Sequence, residues 1–237
     1  MMTKSKKLDL VNYKKEAALK ALEYVKSGMV LGIGTGSTTK YFIDALGEAL
    51  KNGSLKDIKG VATSIKTEEY ASGKGIPMVD INHFQELDLA VDGADEIDGD
   101  LNLIKGLGRA LLREKIVESY AKQFVVIADY TKAVRQLGKK RPLPIEIVPF
   151  GWLTHIRWLE ALGCKVELWL EKEKPVVTDN HNYIVKCWFE DGIEDPHTLA
   201  VRIKQRTGVV EHGLFINMAD VAIIVGKEGV QIKNRSD

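Results

Sequence analysis

Residues 29–39 read MVLGIGTGSTT, an apolar run that passes into a glycine-rich turn. The run at 29–33 predicts a buried strand, and the hydrophobic pattern at 41–50 predicts a helix after the turn. Glycines at the end of a strand let the backbone turn tightly and approach a ligand closely. Strand, turn and helix in this order are typical of the α/β fold class.

The same alternation continues on both sides of this stretch. Hydrophobic patterning predicts helices at 12–26, 68–74 and 110–121, and strands at 58–63, 87–91 and 124–128. Strands joined by helices form right-handed crossovers, which give a parallel sheet covered on both faces. We therefore expect a Rossmann-like large domain.

The pattern changes after about residue 132. Residues 141–149 hold three of the six prolines, which favours a linker or an irregular edge strand. Beyond them we predict a smaller α+β (ferredoxin-like) domain, with Asp195 capping its second helix. Its predicted elements are helices at 152–162 and 196–206 and strands at 165–170, 183–189 and 209–216. The apolar segment 219–226 is expected to rejoin the first sheet, so the predicted domains are 1–132 plus 208–237, and 133–207.

Composition narrows the class of function. The 237 residues carry a formal net charge of +1, which disfavours a protein that coats nucleic acid but allows a small anionic ligand. No apolar run resembles a signal peptide core or a membrane span. The two cysteines form no CxxC pair, so we expect a reduced, cytoplasmic setting.

The glycine turn is suited to a phosphate. Amides of the following helix's first turn, with the hydroxyls of Thr35, Ser37 and Thr38, can hold one. A Walker A loop is disfavoured because no lysine occurs before Lys40, and a dinucleotide fingerprint needs a third glycine where Ser37 stands. A turn with an N-cap serine and no ligand stays an open alternative.

An acidic turn, VDGADEID at 91–98, follows the strand predicted at 87–91. Asp92 and Asp95 stand three residues apart, and paired acids in a confined site separate their pKa values. Ligands bind at the carboxyl ends of parallel strands, where this turn begins. The spacing does not match an EF-hand loop. A solvated acidic turn without a ligand is the alternative.

Three further charged residues are candidates. Lys105 suits either an ion pair or the stabilisation of an enediolate oxygen. Glu114 alone would be an exposed helical glutamate, since Arg113 and Lys115 flank it. Lys132 follows the strand at 124–128, which places it on the same rim as the glycine turn as a second phosphate cation. The five histidines show no metal-binding spacing.

These segments together resemble type A ribose-5-phosphate isomerase over nearly the whole chain. The resemblance rests on the order and spacing of seven short motifs: GIGTGSTT at 32–39, VDGADEID at 91–98, LIKGLGRALLREK at 103–115, ADYTK at 128–132, PLPIEIVP at 142–149, VVTDN at 176–180 and GLFINMADVAIIVG at 213–226.

The resemblance implies a role for each matching residue. Glu114 would move a proton between C2 and C1 of open-chain ribose 5-phosphate, and Asp92 would open the furanose ring. Asp95 and Lys105 would bind substrate hydroxyls and stabilise the enediolate. The implied substrate and phosphate contacts are Lys14, Thr35, Gly36, Ser37, Thr38, Gly93, Ala94, Gly106, Leu107, Gly108 and Lys132.

The resemblance also implies no metal and no organic cofactor, a sugar phosphate as substrate, and a homodimer or homotetramer in the non-oxidative pentose phosphate pathway. It implies neither a nucleic-acid nor a membrane partner. One departure is the turn after Lys105, where the family usually has small residues and this chain has Leu107 and Arg109. Leucine enters glycine-only backbone regions at a cost, so the turn either keeps an ordinary φ or changes shape.

Rival interpretations come from related folds and from another class. An amino-sugar phosphate isomerase-deaminase or a coenzyme A transferase would share the α/β architecture. A sugar-phosphate sensor domain of a transcriptional regulator is the alternative outside enzymes. Only 31 residues precede Gly32, which we expect to be too few for a helix-turn-helix domain and its linker.

Overall fold

The computed structural model describes the backbone of residues 4–235 and the side chains of residues 8–235. The helices of this part are α1 (Lys4–Leu22), α2 (Thr39–Lys51), α3 (Ile65–Gly73), α4 (Leu111–Ser119), α5 (Trp152–Glu160) and α6 (Pro196–Lys204). The strands are β1 (Val30–Ile33), β2 (Lys59–Ala62), β3 (Leu89–Asp92), β4 (Glu96–Ile97), β5 (Leu103–Ile104), β6 (Phe124–Asp129), β7 (Leu143–Ile147), β8 (Lys165–Leu168), β9 (Leu170–Glu171), β10 (Lys174–Pro175), β11 (Tyr183–Trp188), β12 (Val209–His212), β13 (Leu214–Phe215), β14 (Val221–Gly226) and β15 (Gly229–Asn234).

Contacts divide the chain into two compact units. Unit 1 comprises the residues up to 94, residues 113–133 and the residues from 218 onward, and unit 2 comprises residues 95–112 and 134–217. The units differ from the predicted domains over 95–112 and 208–217, which the prediction assigns to the larger domain, and at residue 133, which it assigns to the smaller one. The domain boundaries themselves stay a prediction. No described helix is long and apolar enough to cross a membrane.

Unit 1 contains a six-stranded sheet in the order β15-β14-β6-β3-β1-β2. All its neighbouring strands pair in parallel except β15, which is antiparallel to β14. The parallel strands thus follow the doubly wound order 2-1-3-4-5, whose direction reverses between β1 and β3. Ligands bind beside that switch point in such sheets, at the carboxyl ends of the strands. The return of 219–226 to this sheet is confirmed by β14.

The core of unit 1 follows from alternation along the strands. Leu31 and Ile33 of β1 belong to a buried cluster that also holds Phe42 of α2, whereas Gly32 faces Val117 of α4 on the other side. A methyl group on Gly32 would lie 2.6 Å from Val117 Cγ1, so the glycine allows close helix packing. Phe42 is fully buried, and burial of such a side chain contributes about 3 kcal/mol.

Unit 2 contains a four-stranded antiparallel sheet in the order β12-β7-β11-β8. Its chain order, β7-α5-β8-β11-α6-β12, is the split βαβ arrangement of ferredoxin-like domains. The buried cluster of this unit includes Ile145 and Ile147 of β7, Leu159 of α5 and Ile203 of α6. The predicted fold class, a Rossmann-like parallel sheet with a smaller ferredoxin-like part, is confirmed.

Two local predictions were wrong. Residues 141–149 contain β7, which lies in the interior of its sheet and not at an edge. Pro144 is tolerated because its carbonyl points to the β12 side, where it accepts a hydrogen bond from the amide of Gly213, and β12 pairs only with residues 145–147. The nitrogen of Pro144 points to the same side, so its missing N–H removes no ladder bond.

The strand predicted at 209–216 is two strands. Gly213 separates β12 from β13, and β13 belongs to a three-stranded sheet in the order β13-β5-β4. The Gly213 amide donates to Pro144 O at 2.8 Å, and the Gly213 carbonyl accepts from the Lys105 amide at 2.9 Å. Side-chain atoms on Gly213 would overlap the Lys105 carbonyl, so a glycine is needed where the two sheets meet.

Candidate active site

The glycine turn lies between β1 and α2, beside the switch point of the unit 1 sheet. Lys14 of α1 donates from Nζ to Ser37 Oγ at 2.9 Å, which brings a cation to the turn. Thr38 is the N-cap of α2, yet its side chain makes no capping hydrogen bond. The alternative of a serine that caps the helix is therefore wrong. Gly36 and Ser37 are exposed and accessible to an anion.

The hydroxyl of Thr35 is surrounded by three others. Thr35 Oγ1 lies 2.7 Å from Thr63 Oγ1, 2.8 Å from Ser64 Oγ and 2.9 Å from Thr67 Oγ1. The Thr67 hydroxyl also donates to the carbonyl of Gly34 at 3.3 Å. Since a hydroxyl offers one proton and two lone pairs, these neighbours engage the Thr35 hydroxyl within the protein. A phosphate contact by Thr35 stays a prediction.

Asp92 ends β3 and is completely buried. Its Oδ1 accepts hydrogen bonds from the Thr39 hydroxyl at 2.9 Å and from the Gly93 amide at 2.6 Å. A Cβ on Gly34 would overlap the Asp92 carboxyl group. Gly34 is thus required by the close approach of the glycine turn to Asp92, and the two lie side by side as the switch-point rule predicts.

Glu114 lies in the first turn of α4 and is 1% exposed. The interpretation of Glu114 taken alone, an exposed helical glutamate, is wrong. A carboxylate in the first helical turn is stabilised by the partial positive charge of the helix N-terminus. Glu118, one turn later, is buried as well.

Lys132 follows β6 in a single 3₁₀ turn, Tyr130–Lys132. Asp129 begins this turn and accepts a hydrogen bond from the Thr131 amide at 3.0 Å. Because β1, β3 and β6 are parallel neighbours, Lys132 and the glycine turn lie on the same edge of the sheet, as predicted. Lys132 is half-buried.

In unit 2, Asp95 shapes the turn after Lys105. Asp95 Oδ2 accepts from the Leu107 amide at 2.9 Å, and the Asp95 amide donates to Ile104 O at 2.8 Å. The residues of this turn with positive φ are Gly106 (107°) and Arg109 (71°). Leu107 therefore keeps an ordinary φ, whereas Arg109, the other departure from small residues, adopts the left-handed region that favours glycine.

Lys105 is 2% exposed, with Nζ 5.4 Å from the centroid of the Phe215 ring. Burial of an ammonium group is costly unless other groups compensate it, and the ring face supplies part of that compensation. The amide of Lys105 is fixed by Gly213, as described above. Both the backbone and the side chain of Lys105 are thus held in place within unit 2.

Arg109 contacts the β9–β10 hairpin of unit 2. Its guanidinium forms an ion pair with Glu171 and lies 5.1 Å from the centroid of the Trp169 ring. Lys186 approaches the same ring, with Nζ 3.7 Å from the centroid. Burial lowers the pKa of Lys186, and the positive charge of Arg109 lowers it further, while Glu167 acts in the opposite direction.

The site residues predicted from the sequence are divided between the two units. Asp95, Lys105, Gly106, Leu107 and Gly108 belong to unit 2, and the remaining ones to unit 1. Among the described residues no group of three or more His, Cys, Asp or Glu side chains is placed to hold a metal ion.

A family model described as ribose 5-phosphate isomerase A (phosphoriboisomerase A) matches residues 59–229. The chain belongs to this family. Curated relatives agree: a probable ribose-5-phosphate isomerase 2 of Arabidopsis thaliana is 49% identical over 94% of this chain and 86% of its own length. Ribose-5-phosphate isomerase A of Pyrococcus abyssi is 42% identical over 96% of this chain and 100% of its own length. The predicted enzyme class, an isomerase of this family, is confirmed.

Solved structures of the family also match. A D-ribose-5-phosphate isomerase in complex with phospho-erythronic acid aligns with a TM-score of 0.93 at 43% identity, over 95% of this chain and 99% of the other. The Plasmodium falciparum ribose 5-phosphate isomerase aligns with a TM-score of 0.93 at 40% identity, over 96% of this chain and 100% of the other.

Sequence reasoning missed the polar residues that support the site. Thr39 contacts Asp92, and Thr63, Ser64 and Thr67 surround the Thr35 hydroxyl. A usable signal was present for the last three, because hydroxyl residues stand at the carboxyl end of β2 and at the N-terminus of α3. The contact of Thr39 with Asp92 could not be predicted in this way, since Thr39 looks like an ordinary first residue of a helix.

Proposed function

We propose that the protein interconverts D-ribose 5-phosphate and D-ribulose 5-phosphate through an enediolate. The observation that carries this proposal is the juxtaposition, in unit 1, of an exposed glycine turn and the buried Asp92 at the β1/β3 switch point. An anion site beside a fixed carboxylate suits a substrate that has a phosphate at one end and an acidic or cyclic hemiacetal group at the other.

The phosphate is assigned to the glycine turn. Gly36, Ser37 and Thr38 would supply amides and hydroxyls, and Lys14 and Lys132 would supply positive charge. Lys14 is already oriented by its hydrogen bond to Ser37. Gly93 and Ala94 continue the backbone from Asp92 and are assigned to substrate contacts.

The chemistry begins with the ring-closed sugar. Asp92 takes the proton of the C1 hydroxyl and passes it to the ring oxygen O4 as the C1–O4 bond breaks and the C1 carbonyl forms. Glu114 then removes the proton from C2, and the O2 proton leaves as O1 is protonated. Return of the proton from Glu114 to C1 completes the ketose.

Unit 2 is assigned the groups that stabilise the intermediate. Lys105 would neutralise the developing enediolate charge, and Asp95 would bind a substrate hydroxyl. Gly106, Leu107 and Gly108 would supply backbone contacts from the turn that Asp95 holds. A desolvated lysine is effective in this role, because electrostatic stabilisation is stronger away from water.

We further propose a homodimer or homotetramer that acts in the non-oxidative pentose phosphate pathway in the cytoplasm, with no cofactor and no metal. These proposals rest on the resemblance described in the sequence analysis. Size-exclusion chromatography with light scattering distinguishes the assemblies, and a strict monomer would contradict the oligomer.

The experiment that tests the function is turnover of ribose 5-phosphate by the wild type and by Glu114→Gln. Loss of a positioned general base should lower kcat by roughly 100- to 10,000-fold while inhibition by phospho-erythronic acid is kept. Glu118→Gln is the matched control, because Glu118 is a second buried glutamate on the same helix. Near-normal turnover in Glu114→Gln would exclude Glu114 as the base, and an inactive wild type would overturn the function.

A further inference from the structure

Thr39 and Asp92 form a hydrogen-bonded pair that no motif predicted. Both side chains are completely buried, and the Thr39 hydroxyl donates to Asp92 Oδ1 at 2.9 Å. Thr39 is the first residue of α2 and directly follows the glycine turn. The same short segment therefore carries the proposed phosphate contacts and a donor to the proposed ring-opening acid.

We propose that Thr39 is a positioning residue for the ring-opening step, an inference that rests on the proposed function. The Asp92 carboxyl group is held from two directions through Oδ1, by Thr39 and by the Gly93 amide. On a third side the backbone of Gly34 packs against the carboxyl group, so closely that a Cβ at position 34 would overlap the carboxyl carbon. The rotamer of Asp92 is thereby fixed relative to the glycine turn.

The hydrogen bond between Thr39 and Asp92 matters for ring opening because this step depends on the orientation of the Asp92 carboxyl group as well as on its charge. Asp92 must reach the C1 hydroxyl and the ring oxygen in sequence, and the substrate is anchored at its phosphate end. A misplacement of about 1 Å in such a site lowers rate by about 100-fold. Without the Thr39 hydroxyl, the carboxyl group would keep the Gly93 amide but lose the donor that ties it to α2.

A purely structural role is the competing explanation. In that case the hydroxyl would only satisfy a buried carboxylate, and its removal would weaken the fold and the whole site together. The two explanations differ in what they predict for an acyclic ligand. Phospho-erythronic acid has no ring to open, so its binding does not need the ring-opening geometry of Asp92.

The test compares Thr39→Val, which keeps the shape but removes the donor, with Thr39→Ser, which keeps the donor. We expect Thr39→Val to lower kcat/KM for ribose 5-phosphate by about 10-fold or more, the worth of a hydrogen bond to a charged group. Its inhibition constant for phospho-erythronic acid should stay within about twofold of the wild type. The C2-deuterium isotope effect on kcat/KM should not exceed that of the wild type, since a slow ring step masks proton transfer. Thr39→Ser should restore most of the turnover.

Thr178→Val is the matched control, because Thr178 is another buried threonine whose hydroxyl donates to a buried glutamate, Glu146, at 2.8 Å. It should lower the melting temperature without a specific loss of turnover. Unchanged turnover in Thr39→Val, a parallel loss of inhibitor binding, or a larger isotope effect would each overturn the role of Thr39. If the wild type neither isomerises ribose 5-phosphate nor binds the inhibitor, the proposed function itself fails, which is a distinct result.

Discussion

At the level of single residues, uncharged neighbours help to orient the charged candidates Asp92, Asp95 and Lys105. Asp92 is oriented by a threonine and an amide, Lys105 by a glycine carbonyl and a ring face, and Asp95 by the amide of Leu107. Each of these contacts fixes a geometry and adds no charge of its own. Substitutions at charged and supporting positions should therefore differ in kinetic signature.

Lys132 offers the simplest such signature. If it binds the phosphate and takes no part in proton transfer, Lys132→Ala should raise KM about 10-fold or more and leave kcat within about threefold. Steady-state kinetics with ribose 5-phosphate measures both. Lys227→Ala removes an exposed lysine of the same unit and should change neither constant. A fall in kcat with an unchanged KM in Lys132→Ala would remove this residue from the phosphate site.

The sequence located the charged candidates of the site, but not the polar residues that contact them. Asp92 and Lys132 stand at strand ends, and a pattern of strands locates such positions. The hydroxyls of Thr39 and Thr67 act through contacts with residues 53 and 33 positions away, which no local spacing reveals. The burial of Glu114 could not be predicted from its immediate neighbours in the sequence, because the burial of a helical face depends on what packs against it.

Among the elements, β1 is joined to the residue before β3 by a hydrogen bond to a carboxylate, at the end of the strands opposite the glycine turn. Asp88, just before β3, accepts a hydrogen bond from the amide of Val30 at 2.9 Å and one from Lys122 at 3.1 Å. The Val30 amide lowers the pKa of Asp88 below its ordinary value, with Lys122 adding to this effect against a smaller opposing effect of burial. The strands β1 and β3, which end at the glycine turn and at Asp92, are thus also connected at their N-terminal ends.

The pKa of Asp88 is lower in the folded protein than in the unfolded chain, so Asp88 stabilises the folded protein at pH values above the ordinary carboxyl pKa. This stabilisation is lost as the pH falls through the pKa that Asp88 has in the folded protein. Asp88→Asn should therefore reduce the free energy of unfolding by about 1 kcal/mol at pH 7, a modest figure because the side chain is partly solvated. The difference from the wild type should shrink as urea denaturation is repeated toward pH 3.5. Asp100→Asn, in an exposed turn, removes the same charge and should show no such trend. A pH-independent difference would contradict the ionic origin of the effect.

Across the whole molecule, the fold class was predictable because it follows from the alternation of elements, whereas the shortest strands were not. The short strands β4, β5 and β13 contain two residues each, too few to show any periodicity. Glu96 illustrates what they hold: its buried carboxylate accepts hydrogen bonds from the amides of Gly138, Lys140 and Arg141. These hydrogen bonds join residues 95–112 to the segment of unit 2 that begins at residue 134. The sequence did not predict them, because Glu96 lies in a motif that we interpreted as an acidic turn.

The position of β12 allows the end of the smaller domain to be tested. The predicted boundary at 207 removes β12, which would leave β7 as an edge strand with its amides and carbonyls unpaired on that side. A fragment of residues 134–217 contains every strand of the ferredoxin-like sheet and no residue of unit 1, whereas a fragment of residues 134–207 lacks β12 and β13. We expect the longer fragment to melt cooperatively by far-ultraviolet circular dichroism and the shorter one to give no cooperative transition. Equal melting of the two fragments would show that β12 is dispensable and would favour the boundary at 207.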